Sequence, residues 1–226
     1  MVLTIEPAWA THSDEPNRSR TAQRLAIRRA TLPLLIQRGY DAVTIEDIIG
    51  IAGISRRTFF RLFGGKDQLV SCDHEVYHRE MHTYLLQHQG QRSIGRAARG
   101  AALIVDSLTA VREDSLERAA LLASSSALSA EENRWFDRHQ TTIASFLTDH
   151  TNLRTTIQAE MTAAAIITGA RIAMRDYLQH PDISAPTRFK EATASLTRYQ
   201  SDAIRQVAVV ETSLPLDEIL ARINNP

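Results

Sequence analysis

The chain contains a single cysteine, Cys72, so it cannot close a disulfide on itself. Such sparing use of cysteine suits a reducing compartment. Long apolar runs are also missing. The most apolar segment, 161–170, stops at Arg171, well short of the roughly 20 residues that a membrane span needs. Residues 1–20 have neither a basic start nor a sustained apolar stretch and do not read as a secretory leader. No alternating strand pattern and no internal repeat is visible. There is no nucleophile–base pair, no glycine-rich phosphate loop and no metal motif, so nothing supports an enzyme and no cofactor is expected. What remains is the expectation of an all-α, cytoplasmic protein with no membrane partner.

The chain is 226 residues long, enough for one large core or two modest domains. Its formal charge is zero but unevenly spread. From Arg18 to Lys66 there are ten basic residues against Asp41, Glu46 and Asp47, a net +7, which leaves the remainder at −7. A basic N-terminal module on an acidic remainder points to a polyanion partner for one end only.

That basic end holds the most informative stretch, TIEDIIGIAGISRRTFFRLFGGKDQL, residues 44–69. Thr44 with Asp47 three residues on forms a capping-box start. Ile45, Ile48, Ile49 and Ala52 then repeat on one helical face. Gly53 supplies the left-handed backbone that ends such a helix, and Ser55 caps the next, which opens on Arg56-Arg57-Thr58. On this short helix Phe59 and Phe63 face inward, while Arg56, Arg57, Phe60 and Arg61 face outward, Arg56 over Phe60 and Arg57 over Arg61. A short basic helix braced by an apolar one is the layout of a helix-turn-helix DNA reader. Arginine binds guanine bidentately, and a phenyl ring touches a thymine methyl. Ahead of it a first helix is expected over about 20–38, with Ile27, Ala30, Thr31 and Leu34 on one face and Pro33 on the outside of a bend.

From about Thr21 to Leu69 the chain resembles the DNA-binding region of the TetR family of transcriptional regulators. The residues that carry the likeness are Arg38-Gly39-Tyr40, Thr44, Ala52-Gly53-Ile54-Ser55, Thr58-Phe59-Phe60, Phe63-Gly64 and Lys66. Phe60 stands where many members have tyrosine, and Leu62 where a polar aromatic or histidine is frequent. The resemblance implies an N-terminal three-helix helix-turn-helix domain followed by a helical ligand-binding and dimerisation domain. It implies that Tyr40, Thr44, Ser55, Arg56, Arg57, Thr58, Phe60, Arg61 and Lys66 meet double-stranded DNA at a palindromic operator. It also implies a homodimer and a small-molecule effector of unidentified chemistry. Candidates for the pocket wall are Met81, Tyr84, Leu103, Trp135, Phe136, Phe146 and Met174.

The domains expected on this basis are a tail over 1–17, the DNA-binding domain over 18–65 and the helical domain over 66–226. Helical pattern runs from 66 to about 88, 94 to 111 and 116 to 123. A capping box at Ser129-Ala130-Glu131-Glu132 opens another helix with Trp135, Phe136, Ile143, Phe146 and Leu147 inward. Residues 153–179 are apolar nearly all round, which calls for cover on more than one side. Pro181 and Pro186 bracket the next break. Phe189, Ala192, Leu196, Tyr199, Ala203, Val207 and Val210 then form a stripe, and a last helix spans about 216–223. The helix at 153–179 and this stripe suit half of a four-helix bundle with a second subunit. His74, His78 and His82 repeat every four residues, so a metal-responsive regulator is an alternative, set against a partly solvated histidine edge. An all-α enzyme or partner-binding module is the alternative from another class.

Overall fold

The computed structural model describes residues 15–88, 93–151, 155–180, 182–194 and 196. Nine helices with defined bounds lie within them: α1 (Glu15–Arg38), α2 (Ile45–Ala52), α3 (Arg56–Leu62), α4 (Lys66–Val70), α5 (His74–Gln87), α6 (Ser93–Leu108), α7 (Arg112–Ala123), α8 (Ser126–His150) and α9 (Thr156–Gln179). A further helical segment covers 185–194, and no strand occurs among the described residues. No described helix is long and apolar enough to cross a membrane.

The chain forms two compact units. Of the described residues, one unit holds 15–79 together with Glu113–Trp135; the other holds Glu80–Arg112 and those between 136 and 196. The boundary expected at 65/66 thus falls inside the first unit, which also takes in α7 and the start of α8.

In the first unit α1 packs on α2 and α4, and α2 packs on α3. The core is Ile27, Leu35, Tyr40, Val43, Ile48, Phe59, Leu62, Phe63, Leu69 and Val70, closed by Leu121 and Leu128 from α7 and α8. α1 begins at Glu15, so the expected tail loses its last three residues to the helix, and it runs on through exposed Pro33. Its buried face is Ile27, Thr31 and Leu35; Ala30, expected inside, is exposed.

The helix expected from 66 to 88 is broken. α4 stops at Val70 and α5 starts at His74, with Ser71, Cys72 and Asp73 buried between them. The cause is polar. Asp73 turns inward to Arg28 at 3.3 Å and Arg118 at 3.1 Å, and the Ser71 hydroxyl donates to Asp67 O at 3.2 Å. Asp73 also caps α5, its carbonyl accepting from Val76 N at 2.9 Å and its carboxylate from His74 N at 3.1 Å. An aspartate ahead of a helical run is itself a start signal, and it is the clue that the apolar period masks.

The capping box at Ser129 is not formed, because α8 already starts at Ser126. Ser129 donates its hydroxyl to Leu122 O at 2.8 Å. Glu132 pairs with Arg118 at 2.7 Å and with His74 at 2.9 Å, and Glu131 pairs with Arg134.

In the second unit α6 packs along α9. Ala97, Ala101, Ile104 and Val105 of α6 and Ala159, Ala163, Ile166, Ala170 and Ala173 of α9 are buried. A Cβ on Gly100 would sit 3.2 Å from Leu85 and 3.3 Å from Met81, so α5 passes close to α6 there. Thr155 caps α9, accepting from Gln158 N at 3.3 Å. Arg112 closes its other end, donating to Tyr177 O at 2.7 Å. In the segment 185–194 the buried residues are Ala185, Phe189 and Thr193, whereas Ala192, expected in the stripe, is exposed. Tyr199 to Val210 and the helix expected over 216–223 lie outside the described residues.

Candidate nucleic-acid interface

Local capping sets the geometry of α2 and α3. Thr44 donates its backbone N–H to Asp47 Oδ2 at 2.9 Å and its hydroxyl to the same oxygen at 2.6 Å, while Asp47 N–H donates back to Thr44 Oγ1 at 3.1 Å. This reciprocal pair satisfies orphan donors of the first turn, and the Thr44 hydrogen bonds hold the exposed Asp47 carboxyl below its ordinary range. Gly53 ends α2 at φ 62°, the left-handed region that costs a side chain steric strain. Ser55 then caps α3, accepting from Thr58 N–H at 3.1 Å, with its hydroxyl 2.9 Å from that of Thr58.

α3 is sharply two-faced. Phe59, Leu62 and Phe63 are buried, with the Phe59 and Phe63 rings 5.4 Å apart. Arg56, Arg57, Phe60 and Arg61 are exposed. Phe60 leaves 45% of its surface to solvent while its ring edge meets Phe59 at 5.3 Å. The Arg56 guanidinium lies over the Phe60 ring at 5.6 Å and is ion-paired with Glu46 of α2. Arg57 and Arg61 share the outward face with Phe60.

Lys66 is engaged from within. Its ammonium donates to the carbonyls of Tyr40 at 2.5 Å and Val43 at 2.6 Å, and stands 4.1 Å from the Tyr40 ring centre. A cation at the start of α4 is thereby satisfied by carbonyls of the α1–α2 connection. Partial burial lowers its pKa, with Asp41 working the other way. Tyr40 packs under this turn, and burial pushes its phenol up to about 12, with Asp67 and Asp41 adding to the effect.

For three arginines of the basic module the sequence showed the charge but not the partners. Arg20, Arg24 and Arg28 follow at four-residue steps on α1. They reach, in order, Arg61 O at 3.2 Å, Glu75 with the Phe63 ring at 5.4 Å, and Val70 O at 2.9 Å with Asp73. Part of the basic module's charge is therefore spent inside the fold. The four-residue spacing was the visible signal; its partners lie more than forty positions away.

The pocket candidates divide. Met81, Phe136 and Phe146 are buried in the second unit, and Tyr84, Leu103 and Met174 are half-buried there. Trp135 belongs to the first unit, its ring stacked on His74 at 5.6 Å and 11°. The histidine series does not converge. His74 is fully buried against Glu132 rather than on a solvated edge, and His82 is exposed. Among the described residues no group of three or more His, Cys, Asp or Glu is placed to hold a metal ion.

Comparison with known proteins agrees with this architecture. No curated protein matches the chain. Among solved structures, a TetR-family transcriptional regulator from Syntrophomonas wolfei str. Goettingen is similar with a TM-score of 0.54 at 16% identity, over 88% of this chain and 100% of that one. A transcriptional regulator from Aquifex aeolicus VF5 gives 0.51 at 13% identity, over 78% and 99%. The TetR family repressor AlkX from Dietzia sp. strain DQ12-45-1b gives 0.50 at 21% identity, over 79% and 98%. At such identities these likenesses establish the fold. The sequence itself matches two family models: that of bacterial regulatory proteins of the tetR family over residues 27–71 and that of the MftR C-terminal domain over residues 92–200. With a helix-turn-helix at one end and a helical regulator domain at the other, the chain belongs to the TetR family of transcriptional regulators.

Proposed function

We propose that this protein is a homodimeric repressor that reads a palindromic operator in double-stranded DNA through α3 and is released from it by a small-molecule effector held in the second unit. The observation that carries the reading is the two-faced α3. Its buried side is anchored by three core residues, so Arg56, Arg57, Phe60 and Arg61 are presented on a rigid support, as a major-groove reader requires. Arg57 is the guanine reader, Phe60 meets a thymine methyl, and Arg61 serves the phosphates beside them. Ser55 and Thr58 bring the N-terminal end of α3 to the groove, and Thr44 does the same for phosphate at α2. Lys66 and Tyr40 act on the same surface mainly by holding its turn in place.

A second subunit is supported by α9. Ile157 and Met161 leave 69% and 67% of their surface exposed, and Ala165, Thr168 and Ile172 continue that stripe at helical spacing. An exposed stripe that is apolar but for Thr168 marks an interface, and two-fold pairing there sets two α3 helices on two half-sites. Release is a population shift. An effector that prefers the conformer with mismatched half-site spacing lowers operator affinity by that preference alone.

The test is Arg57→Ala in a DNA titration. The variant should lose about 1–3 kcal/mol on the selected operator and much less on random duplex. Equal losses on both would remove Arg57 as a base reader.

A further inference from the structure

Of the outward arginines of α3, Arg56 alone meets a carboxylate among the described residues. Its Nη1 donates to Glu46 Oε1 of α2, ten positions earlier in the chain. The same guanidinium lies over the Phe60 ring, 5.6 Å from its centre. Phe60 is in turn steadied by buried Phe59, edge to face at 5.3 Å. Arg56 is thus held at two points, by a charge from α2 and by a ring face from its own helix. Its planar fork carries five N–H donors. With Nη1 given to Glu46 and one face on Phe60, the Nε–Nη2 edge is left for the two acceptors of guanine, N7 and O6.

The acid is oddly placed for a surface that meets DNA. Glu46 and Asp47 share the first turn of α2, where acids suit the helix dipole. Asp47 is committed to the capping box with Thr44, whereas Glu46 reaches across to α3. The first helix of a helix-turn-helix crosses the phosphate backbone, so an exposed carboxylate there is repelled by the duplex unless a cation offsets it. Fold stability does not explain the pair, since ion pairs this exposed contribute little. Covered by a duplex, the pair loses water and strengthens. Arg56 occupies the first position of α3, the end of a recognition helix that touches base edges. A side chain already held there loses less rotamer freedom on binding than a free arginine does.

We propose that Glu46 is a specificity-determining positioning residue: it holds Arg56 off the phosphates and makes it a second guanine reader beside Arg57. Without Glu46, Arg56 is a free cation at a polyanion and turns to the nearest phosphate, which raises affinity for any sequence and lowers discrimination. The inference rests on the reading of α3 as the DNA reader.

The test uses the full chain and the duplex that it selects from a random library. That duplex, its single base-pair substitutions and a random duplex are titrated across a range of salt. The proteins are the wild type, Glu46→Gln, Arg56→Gln and the double variant. Both side chains are exposed, at 61% and 60%, so each variant should keep the wild-type Tm. Arg56→Gln should cut the preference for one G·C pair in each half-site about tenfold, and Glu46→Gln should relax that same pair. Glu46→Asp, which keeps the charge on a shorter stem, should restore part of the preference. On random duplex Glu46→Gln should bind more tightly than the wild type, with a salt slope steeper by about 0.9 per subunit as Arg56 takes a phosphate. In the Arg56→Gln background that extra slope should vanish. If it persists there, Glu46 acts by its charge alone and the proposal is overturned. A selected duplex in which no base pair responds to both Glu46→Gln and Arg56→Gln also overturns it, while leaving α3 as the reader. A wild type that selects no duplex refutes the reading of α3 itself, and this proposal with it.

Discussion

Replacing Arg118 by methionine is the sharpest perturbation of the first unit. Its guanidinium donates to both Asp73 and Glu132, with 10% of its side chain exposed against 8% and 13% for the two carboxylates. Arg28 meets Asp73 from α1 at 3.3 Å, and His74 meets Glu132 at 2.9 Å. Removing Arg118 leaves two buried carboxylates facing one arginine. Breaking a buried pair by deleting one partner costs about 3–5 kcal/mol, a large share of the roughly 5–15 kcal/mol that keeps a domain folded. Arg28→Met should cost less, because Asp73 keeps Arg118. Burial by itself raises the carboxyl pKa of Asp73 and Glu132; the guanidinium of Arg118, aided by Arg28 on Asp73 and by His74 on Glu132, overcomes it and holds both below the ordinary range. A depressed folded pKa stabilises above the unfolded value, about 4 for these groups, and that stability is lost as pH falls through the lower folded value. Denaturant melts at pH 7 and down to pH 3 should therefore show a large loss for Arg118→Met at neutral pH and a smaller further loss in acid than the wild type suffers. A neutral-pH loss under about 1 kcal/mol, the scale of an exposed ion pair, would refute this account of the network, as would an acid profile parallel to that of the wild type.

Two further outcomes are expected. Ile157→Lys with Met161→Lys places two charges on the exposed stripe of α9, so sedimentation should show monomers and operator binding should fall while α3 is unchanged; a dimer at wild-type concentrations would move the interface elsewhere. Lys66→Met removes a charged donor from the carbonyls of Tyr40 and Val43 and should cost about 1.5–3 kcal/mol of stability, measured by urea unfolding; an unchanged midpoint would mean that Lys66 acts only on phosphate.

The geometry of α2 and α3 was legible because its determinants are local. Thr44 with Asp47, Gly53, and Ser55 with Thr58 each act within three or four positions, and Phe59 with Phe63 shows its inward face at one helical turn. The break at Ser71-Cys72-Asp73 was not, since the partners that draw Asp73 inward, Arg28 and Arg118, are 45 positions away in each direction. For the same reason His74 reads as an edge residue until Glu132 and Trp135 are found against it. The all-round apolarity of 153–179 hid two separate stripes: a buried one with Ala159, Ala163, Ala170 and Ala173, and Ile157, Met161 and Ile172 left exposed. Net charge misleads in a similar way, since Arg24 and Arg28 count towards +7 yet turn inward.

The central claim is that two copies of α3 read one palindrome. Selection of bound duplexes from a random library by the full chain, followed by sequencing, tests it most directly. The account predicts enrichment of an inverted repeat whose half-site centres lie about one helical turn apart, roughly 10–10.5 base pairs, or a multiple of it, with enrichment lost for Arg57→Ala. A library that stays unenriched, or yields a single asymmetric site still selected by Arg57→Ala, would contradict it.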